Sequence, residues 1–150
     1  MMALNEAYKD NFRWDAFESP AELGQIRIRV MRQFLNDFSQ GKQQGRYVTG
    51  ELPSLPFPSG CFDLALCSHF LFTYSDQFST EFHLNAILEM LRAASEIRIF
   101  PLLTAFSGKP SPHLPAVMEA LRSQKLAVEI RQVDYEFQKG GNQMLRVATA

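Results

Sequence analysis

Cysteine is scarce in this 150-residue chain: Cys61 and Cys67 are the only two. Two thiols, one inside an apolar run, do not build a disulfide framework, and without a neighbouring histidine cluster they do not make a zinc site. No apolar stretch approaches the ~20 residues of a membrane span, because the longest runs, around residues 62–72 and 97–106, are broken by polar residues or proline. The first ten residues lack the basic start and apolar run of a secretory signal, so a cytoplasmic location is expected. No sign of charge dominates, with 15 basic against 16 acidic residues and a pI near 6.3. Neither nucleic acid nor a membrane surface is therefore an expected partner. What remains is ordinary globular material, 46% hydrophobic and 21% charged, enough for one domain that buries roughly two-thirds of its surface without staples. No internal repeat or low-complexity tract interrupts it.

Residues 1–18 carry scattered aromatics, Tyr8, Phe12, Trp14 and Phe17, without a sustained period, and read as an N-terminal arm. Ser19-Pro20-Ala21-Glu22 then combines an N-cap serine, proline at the first helical position and glutamate three residues on, a capping box. Leu23, Ile26, Val30, Met31, Phe34 and Phe38 fall on one arc of the helix that follows, which should end near Gly41. Arg27 sits inside that arc, either as an anion contact or as a stem reaching the edge of the apolar stripe.

Residues 46–50 read as a short strand, and the prolines at 53, 56 and 58 make residues 51–60 a loop. Residues 62–67 form a nearly continuous apolar run, the pattern of a strand covered on both faces in a parallel sheet. A helix capped by Ser79 or Thr80 presents Leu84, Ile87, Leu88 and Leu91. A strand at residues 97–100 follows, and Leu114, Val117, Met118 and Leu121 repeat the helical template. Residues 128–137 and 144–147 are strand-like and joined by a Gly140-Gly141 turn, so an antiparallel hairpin should close the chain. The apolar phase slips near Arg131 and Gln132, where a β-bulge is expected. The fold class is α/β, with a mostly parallel sheet and an antiparallel C-terminal hairpin.

Gly50-Glu51-Leu52-Pro53-Ser54-Leu55-Pro56-Phe57 followed by Phe62-Asp63-Leu64 resembles the acidic turn after the third strand and the opening of the fourth strand in class I S-adenosylmethionine-dependent methyltransferases. The stretch from Ser111-Pro112-His113 to Gly140-Gly141-Asn142 is similar to the closing part of a bacterial subgroup of that family, and the likeness extends over roughly residues 10–148. The resemblance implies a Rossmann-like methyltransferase sheet lacking its first two strands, spread over residues 19–150. The family's glycine-rich cofactor loop has no counterpart, since no G-x-G occurs in the chain. In the family's sheet the first two strands lie between the third and the fourth. The survivors must therefore pair directly, leave edges exposed or recruit another chain. A start codon placed too far downstream would also account for the shortfall.

The resemblance implies S-adenosyl-L-methionine as cofactor and a small molecule as methyl acceptor, with weak or no activity in a fragment. Glu51 stands where the family places an acidic residue near the adenine, with Leu52 beside it, although both also suit a solvated turn. Cys67, Ser68 and His69 leave the carboxyl end of a strand, where open α/β sheets bind ligands. His69 could accept a proton as the methyl group moves, or be a hydrogen-bonded structural group. Cys67 reads as a small buried strand residue rather than a nucleophile. Tyr74, Asp76 and His83 could line an acceptor pocket, and Tyr135, Phe137 and Asn142 a lid. The alternative is a non-catalytic module that forms a homodimer or complements another chain through exposed strand edges.

Overall fold

The computed structural model describes residues 9–15, 17–105 and 107–149, so the parts of the N-terminal arm that include Tyr8 and Ala16 lie outside the described residues. The chain divides into two compact units, residues 1–49 and 50–150. The expected boundary at residue 19 marks the start of a helix and lies within the first unit.

In the first unit, a 3-10 turn at Lys9–Asn11 precedes helix α1, Pro20–Gln43. Ser19 caps it, its hydroxyl accepting from the Glu22 N–H at 3.2 Å. The Glu22 carboxylate turns back one residue further than in a capping box and accepts from the Glu18 N–H at 2.6 Å. Residues 46–50 are not a strand, because Arg46 and Tyr47 are used on the helix they follow. The Arg46 guanidinium binds both oxygens of Asp37, at 2.8 and 2.7 Å, and the Tyr47 hydroxyl donates to Asp37 at 2.7 Å. These donors hold the Asp37 carboxyl down at about 2, Arg46 contributing most. The Tyr47 ring packs 5.4 Å from those of Phe34 and Phe38. It lies over Gly41 so closely that a Cβ there would stand 2.2 Å from a ring carbon. Most of the α1 stripe stays in contact with solvent: Val30, Met31, Phe34 and Phe38 are exposed, Arg27 within the arc and Leu35 beside it with them, and Leu23 is buried.

The second unit is an α/β layer. Strand β1 (Phe62–Ser68) leads through a turn to helix α2 (Thr80–Ala93), which passes directly into β2 (Ala94–Phe100). Helix α3 (Leu114–Ser123), β3 (Ala127–Gln132) and β4 (Gln143–Ala148) complete it. Ser79 caps α2 by accepting from the Phe82 N–H at 3.1 Å. The sheet order is β1-β2-β4-β3, with β1 parallel to β2 and β4 antiparallel to both β2 and β3. The mostly parallel sheet of the sequence reading becomes a mixed one: three strands run the same way, yet only one of the three pairings is parallel, because the reversed β4 lies inside the sheet. The C-terminal hairpin forms as expected. Its β3–β4 register runs without a slip from Ala127 opposite Ala148 to Gln132 opposite Gln143. The expected bulge is absent because the phase change at Gln132 marks the end of β3, and Val133 onward is loop.

Helices α2 and α3 pack on the same side of the sheet. Ile97 and Ile99 of β2 and Leu145 and Val147 of β4 point into that core and are fully buried, together with Ile87, Val117 and Leu121 of the helices. The alternate residues form the opposite face, where Glu96 accepts from Arg98 at 2.7 Å and from Arg146 at 2.8 Å, and Glu129 pairs with Arg131 and Arg146. Arg98 and Arg146 are direct cross-strand neighbours, so Glu96 between them relieves a like-charge contact. The two guanidiniums, Arg146 first, lower the Glu96 carboxyl below its ordinary range.

Strand β1 departs furthest from expectation. It is an edge strand, and its apolar residues are not covered on both faces: Phe62, Leu64 and Leu66 are 42%, 40% and 70% exposed. The continuous apolar run arises because Ala65 and Cys67 face the core while Phe62, Leu64 and Leu66 continue the pattern on a face that no helix of this unit covers. Among the described residues, no helix is long and apolar enough to cross a membrane.

Candidate functional site

An apolar cleft of about 350 Å³ runs beside β1, between the strand and the loop of residues 52–57. Leu52, Leu55, Cys67, Ser68, Phe70 and Met90 are among its walls. The loop is held there by the last turns of α2. The Leu55 N–H donates to the Glu89 carboxylate at 2.7 Å, and the Leu55 carbonyl accepts from Arg92 at 3.3 Å. Arg92 also grips both Glu89 oxygens, at 2.9 and 2.8 Å. With Arg92 and the loop amide both donating to it, the Glu89 carboxyl is lowered to about 2. Glu89 and Arg92 were not singled out by the sequence reading, although a glutamate followed three residues later by arginine on a helix is a recognisable ion-pair spacing. Only the fold shows that this pair clamps a loop 34 residues earlier in the chain.

Three of the four residues assigned to cofactor binding meet here: Leu52, Cys67 and Ser68 all line the cleft. Glu51 adjoins them in the chain, but its side chain is exposed and does not form a wall. Cys67 is buried and its thiol is pushed up by that burial, which makes it a poor nucleophile. Cys61 is the exposed thiol, and both cysteines are free.

His69 follows β1 with a left-handed backbone, φ 55°, and its N–H donates to the Phe100 carbonyl at 2.7 Å. Its Nδ1 lies 2.7 Å from Ser68 Oγ. The His69 ring meets Phe100 edge-on at 5.8 Å, and Phe100 in turn meets Tyr135 at 5.9 Å. The fold thus brings Ser68, His69 and Tyr135, far apart in sequence, to the carboxyl ends of β1 and β2. Tyr74 is exposed, 6.3 Å from Phe70 of the cleft wall, and Asp76 is exposed in the same turn.

Asn142 is occupied within the hairpin loop: its side-chain amide nitrogen donates to Glu136 at 3.3 Å and its backbone carbonyl accepts from the Val133 N–H at 2.9 Å. Phe137 is half-buried in that loop. His83 cannot line a pocket, because it is fully buried, stacked on Phe72 at 5.1 Å. Its Nδ1–H donates to the Ser79 carbonyl at 2.7 Å, and its Nε2 is buried without a hydrogen-bond partner. Nearby, His113 Nε2 donates to the Ser75 carbonyl at 2.9 Å, and the Ser75 and Ser111 hydroxyls bond at 2.7 Å. This polar cluster fastens the turn after β1 to the start of α3.

No protein-family model matches the chain, and no solved structure matches it. Among curated proteins, an uncharacterized protein of Methanocaldococcus jannaschii is 33% identical over 142 residues, a region that takes in 95% of this chain and 61% of the relative. The chain therefore spans about three-fifths of the length of the curated relative it matches.

Proposed function

We propose that the chain is part of a class I S-adenosylmethionine-dependent methyltransferase-type domain, its cleft beside β1 taking the adenine end of the cofactor. The observation that carries this reading is the convergence of Leu52, from the acidic turn, with Cys67 and Ser68, from the end of β1, on one apolar cleft. The strand directions support it, since the last strand along the chain of a Rossmann-like methyltransferase is also reversed, as β4 is here. The cleft suits a flat heteroaromatic ring, which needs apolar walls and few polar partners. It offers little for the ribose or the charged methionine end, because the sequence has no G-x-G loop and Glu51 is not in the wall. The residues fit the adenine portion only, so no transfer step is assigned to this chain alone. The complete domain would transfer a methyl group to a small acceptor, with Tyr74, Asp76 and Tyr135 on the acceptor side and His69 positioned to accept its proton. The same reading places the protein in the cytoplasm, where two free thiols stay reduced.

Amide NMR during titration with S-adenosylhomocysteine tests this. Fast-exchange shifts at Leu52, Cys67 and Ser68 in the millimolar range are expected. Absence of any shift at these residues overturns the reading, and micromolar binding overturns the expectation that this chain binds weakly.

A further inference from the structure

We propose that two copies of this chain join through the free edge of β1, antiparallel about a two-fold axis passing Ala65. The sheet has two edges, and they differ. The β3 edge carries Glu129 and Arg131, paired at 2.7 Å, the kind of charge that keeps an edge from adding strands. The β1 edge carries one charge, Asp63, among apolar residues, three of which are exposed. Its backbone is set out for pairing. The His69 N–H points to Phe100 of β2, so the alternation of a strand turns the backbone groups of Leu64 and Leu66 outward to the free edge.

The edge is complementary to itself. With Ala65 on the axis, Leu64 of one copy stands opposite Leu66 of the other, Phe62 opposite Ser68 and Asp63 opposite Cys67. No charge meets its like, and an exposed leucine meets an exposed leucine on the same face, the cross-strand contact that stabilises antiparallel pairs. A two-fold axis closes this arrangement at two copies. A seven-residue strand makes a small interface of the transient class, so the dimer should dissociate in the micromolar range. Phe62 and Leu66 also line the cleft beside β1, so the second copy would be seated next to it. The inference concerns this chain by itself: it rests on the strand edge that the missing strands of a complete domain would otherwise take, and not on cofactor chemistry, so its failure would leave the titration with S-adenosylhomocysteine to be judged separately.

Sedimentation velocity from low micromolar to near-millimolar concentration is the test. The wild type should pass from monomer to dimer. Leu66→Lys, at a position 70% exposed, should remain monomeric with an unchanged thermal melt, whereas Ile130→Lys on the opposite edge should dimerise as the wild type does. Hydrogen exchange gives a reading free of substitutions, with the Leu64 and Leu66 amides gaining protection as concentration rises. A wild type that stays monomeric throughout, a Leu66→Lys variant that dimerises normally, or concentration-dependent protection on β3 instead of β1 would each overturn the proposal.

Discussion

Acid should destabilise the sheet unit through a single imidazole, His83. In the folded chain its Nδ1–H is satisfied by the Ser79 carbonyl, while Nε2 is buried without a partner. A proton arriving at Nε2 would create a cation against the Phe72 ring, with the His113 ring 5.0 Å away. Burial is the main cause holding the His83 pKa below its ordinary value; His113 adds in the same direction and the Ser79 hydrogen bond opposes. The sign follows from linkage. Above pH of about 6.5 folded and unfolded chains both hold a neutral imidazole and stability is complete. Below it the unfolded chain binds one proton more, and stability falls by up to about 1.4 kcal/mol per pH unit until the folded pKa is reached. For a unit of roughly 100 residues that slope corresponds to about 5–10 °C in Tm per pH unit. Thermal melts by circular dichroism from about pH 7.5 to 5 should show this loss in the wild type. His83→Leu, whose apolar side chain suits the site, should flatten it. The difference between the two isolates His83, because every other titratable group is common to both proteins. Parallel profiles for the two proteins, or a wild type that grows more stable in acid, would refute the reasoning.

Two other outcomes follow from local geometry. Gly41→Ala would ordinarily strengthen a helix by about 1 kcal/mol, but its Cβ would stand 2.2 Å from the Tyr47 ring. The ring should leave, the tyrosine hydroxyl should release Asp37, and the Asp37 carboxyl should rise from about 2 when titrated by NMR; an unchanged value would contradict the packing described. Thiol labelling with an aromatic disulfide should modify exposed Cys61 rapidly and buried Cys67 only as the chain unfolds. Equal rates for the two would mean that the β1 core face is open.

The elements with strong local signals were legible in the sequence. Ser19 and Ser79 begin helices because each has a hydroxyl placed to accept the N–H three residues on, and that chemistry needs no distant partner. The Gly140-Gly141 turn likewise announced a hairpin, and Cys67 was read as a buried strand residue, which it is. Residues 46–50 are not a strand for a physical reason: Tyr47 and Val48 suit one, yet no strand among the described residues pairs with them, and Asp37 offers Arg46 and Tyr47 a better contact. His83 looked like a polar residue available to a pocket because helical spacing alone does not reveal which neighbour closes over it.

The candidate site divides in the same way. Its residue types at the end of a strand, Cys67, Ser68 and His69, were visible in order along the chain, as was the turn that carries Leu52. That Leu52 shares a cleft with them, that Glu89 and Arg92 hold the loop in place, and that Tyr135 reaches the same end of the sheet as His69 were not visible, because each depends on contacts between segments far apart in sequence.

By itself, then, the sequence determined the order of the three helices and of strands β1 to β4, the serine caps that start two of the helices and the apolar material for an α/β core, since these follow from spacing and hydrogen bonds within a few residues. Tertiary structure alone decided that β4 enters the sheet between β2 and β3 and that β1 is left at the edge with Phe62, Leu64 and Leu66 in solvent. A run of apolar residues records that a strand prefers to be covered. Only the positions of the other strands determine whether anything covers it.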